Sequence, residues 1–128
     1  MKVLQNVWIM EKSGIVIFHR AFDESIPPQM FGAMMSALNT FADHLSEGGL
    51  SSFDLDNRRF TFIKKHDLIF IANSSKRFPQ KKVNKALEKV GKRFLKLYSD
   101  KIDLSTGKIG SFVEFNNEIE DSLEEKTN

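Results

Sequence analysis

The sequence predicts an α+β domain with α/β/α layering: a five-stranded, mostly antiparallel sheet between helices, in the order β-β-α-β-β-β-α-α. Three observations carry that prediction. Val7-Trp8-Ile9-Met10 and Ile15-Val16-Ile17-Phe18 are apolar at consecutive positions, so both faces of these strands require cover. Three other segments place apolar residues at three- and four-residue steps, the spacing of helices that could supply it. Strand signals follow one another in mid-chain without intervening helices, which excludes a βαβ alternation. At 128 residues and 41% hydrophobic composition the chain reads as one domain over 1–128, its tail fraying from about 124.

The opening pair spans Val3 to Met10 and Ile15 to Arg20, with Glu11-Lys12-Ser13-Gly14 as a tight reversal. After Pro27-Pro28 comes a helix whose Phe31, Met34, Met35, Leu38, Phe41, Ala42 and Leu45 line one face, read as the face packed on the sheet. Gly48 and Gly49 stop it. Leu50 to Leu55 alternates imperfectly and reads as a half-exposed edge strand, followed by turn residues Asp56 and Asn57. Arg59 to Lys64 and Leu68 to Asn73 complete a meander, and the run Leu68-Ile69-Phe70-Ile71-Ala72 reads as central to the sheet. Beyond Pro79, Val83, Leu87, Val90, Phe94, Leu97 and Tyr98 gather within roughly 100° of a helical wheel. Ser111 and Glu114 form a capping-box pattern before a last helix bearing Phe112, Phe115, Ile119 and Leu123.

Charge is segregated along the chain. Ten of the 19 lysines and arginines lie between Lys76 and Lys101, against Glu88 and Asp100, for a local +8 in a chain of net +2. From Ser111 onward six carboxylates stand against Lys126. Lys81, Lys85, Lys89, Lys92 and Lys96 fall within roughly 80° of one another on the helical wheel, flanked by Lys82 and Arg93. Lysines four apart repel, and Lys81 and Lys82 oppose the dipole of the first turn, so helix stability alone does not ask for this stripe. One reading is a solvated face partly neutralised by the acidic last helix. The other is a partner-binding surface for an acidic protein patch or a lipid headgroup surface. Nucleic acid fits less well, because Phe94 and Tyr98 lie on the buried side and leave no aromatic rings among the lysines to stack on bases.

Reactive chemistry is sparse. There is no cysteine, hence no disulfide framework, thiol nucleophile or thiolate metal site, which fits a reducing compartment. His19, His44 and His66 fall on separate elements, and no metal or other cofactor is expected. Gly48-Gly49 precedes a strand and lacks the residues of a phosphate loop. Ser13, Ser74 and Ser75 are assigned to loops without a nucleophile elbow, and Asp54 with Asp56 reads as a pair of solvated carboxylates. The pattern argues against an enzyme. Gln5 and Asn6 interrupt the N-terminal apolar stretch and no cleavage pattern follows, so the expected location is the cytoplasm, with peripheral membrane association open.

Two segments carry a family likeness: Val7-Trp8-Ile9-Met10-Glu11-Lys12-Ser13-Gly14-Ile15-Val16-Ile17-Phe18, and Phe31-Gly32-Ala33-Met34-Met35-Ser36-Ala37-Leu38-Asn39-Thr40-Phe41-Ala42. With the element order, they resemble the longin domain of the SNARE-like, profilin-like superfamily, over about residues 3 to 125. Related roadblock domains usually begin with a helix, whereas this chain begins with a strand. The resemblance implies a non-catalytic module that pairs with itself or with a related longin or roadblock domain and serves small GTPases, coat complexes or membrane tethers. No functional residue carries over by motif, so the lysine stripe stands on charge alone and the strand Leu50 to Leu55 is the other candidate surface. A small-molecule sensor with a pocket between sheet and helices, or a profilin-like binder of cytoskeletal protein, are the alternative readings.

Overall fold

The computed structural model describes residues 2–20 and 26–98 together with Phe115 and Ile119. Its elements are β1 (Asn6–Glu11), β2 (Val16–Arg20), α1 (Pro28–Leu45), β3 (Ser52–Leu55), β4 (Arg58–Lys65), β5 (Leu68–Ser75) and α2 (Gln80–Tyr98). The five strands form one sheet in the order β2-β1-β5-β4-β3, every pairing antiparallel. The helix expected from Ser111 falls almost wholly outside the described residues. Its Phe115 and Ile119 are described, and both are fully buried.

Local chemistry explains the turns. Gly14 takes a φ of 100°, and the reversal closes through Gly14 N–H donating to the Glu11 carbonyl at 2.9 Å. β4 and β5 are joined by His66 and Asp67 alone, both at positive φ, the conformation that matches a two-residue hairpin to the twist of its strands. β5 lies between β1 and β4 and is buried from Leu68 to Ser74, as its apolar run requires. Ser74 and Ser75 therefore belong to a strand and not to a loop, which corrects the sequence reading.

The two faces of the sheet have separate cores. Val7, Ile9, Phe70 and Ala72 face α2 and pack with Val83, Leu87, Val90, Phe94, Phe115 and Ile119. Trp8, Met10, Phe62, Ile69 and Ile71 face α1 and pack with Phe31 and Met35. Edge-to-face contacts of Phe94 with Phe115 at 5.2 Å and with Phe70 at 6.0 Å lock the first of these layers. β3 is shorter than its apolar pattern suggested. Leu50 is spent on the connection from α1, its N–H donating to Asn39 Oδ1 at 3.0 Å and its carbonyl accepting from Lys64 Nζ at 3.1 Å.

Candidate interaction site

α1 contains no charged side chain from Pro28 to Ala42, and its apolar positions sweep well over half of its circumference. One sheet face covers only a narrower arc, so some of that apolar surface must look elsewhere. Gly32 selects the arc that goes inward. A Cβ at this position would overlap the Gly14 carbonyl oxygen, so the glycine lets the helix press against the β1–β2 turn. Polar side chains then complete the seating. Gln29 accepts from Val16 N–H at 2.9 Å and donates to the Val16 carbonyl at 3.0 Å, as a neighbouring strand would. Ser36 donates to the Lys12 carbonyl at 2.7 Å, and Asn39 holds Leu50.

The consequence corrects the sequence reading of this helix. Phe31, Gly32 and Met35 are buried, while Met30, Met34, Leu38, Phe41 and Leu45 are 57%, 55%, 38%, 64% and 75% exposed. The face expected to pack on the sheet is largely the face turned to solvent, because the polar residues tie the opposite flank to the protein. Ala33 and Ala37 lie on the same exposed side. Covering five such side chains is worth on the order of 5 kcal/mol, a large driving force to leave unused.

Beneath α1 an aromatic row runs on toward a sheet edge. Phe31 stacks on Trp8 at 3.9 Å, Trp8 faces Phe60 at 6.3 Å, and Phe60 stacks on Phe53 of β3 at 5.0 Å and 5°. Phe53, Phe60 and Leu50 are only partly buried. Among the described residues β3 pairs with β4 alone, which leaves its outer backbone groups open to another strand. At the opposite edge the outward groups of Val16 are already taken by Gln29. Lys64 fixes the corner between α1 and β3 by donating to the carbonyls of Gly48 and Leu50, placing a cation where the helix dipole is negative. Burial pulls the pKa of Lys64 below its ordinary value, outweighing the opposite pull of Asp43, and the nearby charge of Lys12 adds a smaller lowering.

On the other face of the molecule, α2 presents Lys81, Lys85, Lys89, Lys92 and Lys96, all exposed. They lie opposite its buried Val83, Leu87, Val90 and Phe94. Glu88, the one acidic residue of α2, is taken by Lys65 of β4 at 2.9 Å. The five lysines and the exposed stripe of α1 are thus separated by the whole thickness of the sheet. Asp54 and Asp56, expected as a solvated carboxylate pair, do not act together. Asp54 pairs with Arg59 Nε at 3.0 Å and lies 3.8 Å from Lys76, while Asp56 falls beyond the end of β3. His19 stands on β2, His44 on α1 and His66 in the β4–β5 turn. No described helix is long and apolar enough to cross a membrane.

The α1 face escaped the sequence reading because its apolar spacing was assigned wholly to the core. The signal that could have found it is the charge-free stretch from Pro28 to Ala42: a helix with one wet face ordinarily carries charges there.

The fold has counterparts among solved structures. It is similar to MglB of Myxococcus xanthus, with a TM-score of 0.60 at 12% identity over 76% of this chain and 85% of that one. The gliding protein MglB of Thermus thermophilus aligns with a TM-score of 0.47, at 12% identity, over 87% of this chain and 78% of that one. A Roadblock/LC7 domain from Streptomyces avermitilis aligns at 0.46, at 12% identity, over 57% of this chain and 67% of that one. No curated protein matches the sequence. The model for the first longin domain of FUZ, MON1 and HPS1 matches residues 5–104, and the chain therefore belongs to that longin family.

Proposed function

We propose that this longin domain is a non-catalytic interaction module that pairs through α1 and the adjoining β3 edge, and that the pair is a platform for a small GTPase. The observation that carries the pairing is the outward apolar face of α1, Met30, Met34, Leu38, Phe41 and Leu45, on a helix without charge from Pro28 to Ala42. In the purified protein the partner is a second copy. An exposed row of this kind is self-complementary about a two-fold axis, and Ala33 and Ala37 let two helices approach closely. A stable pair buries about 800 Å² per partner, which calls for the half-buried Phe53 and the open edge of β3 in addition to the helix.

The GTPase part of the proposal follows from membership of the longin family and from the likeness to longin proteins of trafficking systems; no single residue carries it. Its test is binding of the purified chain to immobilised small GTPases loaded with GDP or a GTP analogue, repeated with Leu38→Glu/Phe41→Glu. Binding by the wild type and its loss in the unpaired variant are expected. Equal binding by the variant would remove the platform, and an absence of binding across the panel would remove the GTPase.

A further inference from the structure

We infer that the lysine face of α2 is a docking surface for an anionic lipid bilayer. Lys81, Lys85, Lys92 and Lys96 fall within roughly 60° of one another on the helical wheel. Among the described residues they form the outermost ridge on their side of the sheet, opposite the buried Val83, Leu87, Val90 and Phe94. At ~1.5 Å per residue this ridge runs about 22 Å, long enough for a planar surface to meet all four ammonium groups together. Among the described residues no carboxylate pairs with these four, since Glu88 is held by Lys65. Their mutual repulsion, and that of Lys81 and Lys82 with the helix N-terminus, is relieved when anions approach.

The residue types choose between anionic partners. Protein interfaces are enriched in arginine and aromatic residues and depleted in lysine, whereas this face carries lysines and buries or half-buries its aromatics, Phe94 and Tyr98. Single-stranded nucleic acid asks for exposed rings to stack on, and here the rings face the core. A fluid surface of lipid phosphates and carboxylates asks only for point charges in a row, which lysine supplies. The six carboxylates beyond Ser111 do not cancel the field, because residues 76–101 at +8 and 111–128 at −5 together still carry +3. This docking surface lies across the sheet from α1, so a domain seated on a membrane keeps its pairing face accessible.

The test is flotation of the full chain with vesicles of phosphatidylcholine alone or with about 30% phosphatidylserine, as ionic strength rises from about 0.05 to 0.5 M. The protein should float with the anionic vesicles at low salt, stay behind with the neutral ones, and be released as salt rises. Lys81→Gln/Lys85→Gln/Lys92→Gln/Lys96→Gln should weaken binding by at least about a hundredfold, each lysine contributing about fivefold, with an unchanged circular dichroism spectrum. No flotation on anionic vesicles at low salt, equal flotation on neutral ones, or wild-type affinity in the folded variant would each overturn the inference. So would release from the vesicles by soluble polyglutamate or a duplex oligonucleotide at a lower charge concentration than the lipid, which would make the face a site for a soluble polyanion. The wild-type headgroup and salt comparisons decide the matter even where the variant fails to fold. The inference rests on α2 alone, and its failure leaves pairing through α1 untouched.

Discussion

α1 and α2 are helices of 18 and 19 residues on opposite faces of one sheet, and they solve the problem of amphipathicity in opposite ways. α2 buries Val83, Leu87, Val90 and Phe94 and gives its lysines to solvent. α1 ties Gln29, Ser36 and Asn39 to the backbone of its own domain and turns Met34, Phe41 and Leu45 outward. The first arrangement is complete within one chain. The second satisfies its polar groups internally and leaves apolar area uncovered, which is the condition of a helix that is half of an interface.

Substitutions in the two helices test this contrast. The largest effect is expected inside the α2 layer: Phe94→Ala empties a fully buried site between Phe70 and Phe115 and should cost about 3 to 5 kcal/mol in urea unfolding. Next comes Gly32→Val, which forces a side chain against the Gly14 carbonyl and the Val16 side chain and should cost on the order of 3 kcal/mol by lifting α1 from the β1–β2 turn. A cost near zero would mean that the close approach does not seat the helix. Leu38→Glu/Phe41→Glu, by contrast, should change the unfolding free energy by no more than about 0.5 kcal/mol at concentrations low enough that both proteins are monomers. Were those side chains turned inward, the same change would cost several kcal/mol, so the measurement reads the orientation of α1 directly.

The smallest effect concerns pH. Lys64 has a folded-state pKa below its unfolded value, so the unfolded chain binds the proton more tightly, and stability rises with pH between the two values. Below that window the charged, partly desolvated ammonium carries a full penalty; toward pH 10.5 the penalty is relieved. In thermal unfolding across this range the wild type should gain slightly on Lys64→Met, and an opposite drift would deny the desolvation.

The order of elements along the chain was legible because its signals are local. Consecutive apolar residues in β1, β2 and β5 demanded cover on both faces, and the edge position of β3 followed from Ser52 and Asp54 alternating with Phe53 and Leu55. α2 was legible for the same reason, since its apolar spacing and lysine spacing fall on opposite sides of one helix. The rotation of α1 was not. It depends on Gly32 meeting Gly14 and on Gln29 reaching Val16, contacts between residues that become neighbours only when the hairpin and helix are assembled. Periodicity shows that a helix has an apolar side and is silent on which partner covers it. Ser74 was misplaced because a serine at the end of an apolar run looks like a turn residue, whereas here it lies buried in the last rungs of β5 opposite Arg59.

The most direct test of the account is the mass of the purified chain by sedimentation equilibrium at micromolar concentration, alone and as Leu38→Glu/Phe41→Glu. A dimer of the 14.7 kDa chain that becomes a folded monomer in the variant is the predicted result. A wild type that sediments as a monomer, or a dimer that survives the two glutamates, would contradict the assignment of α1 as the pairing face.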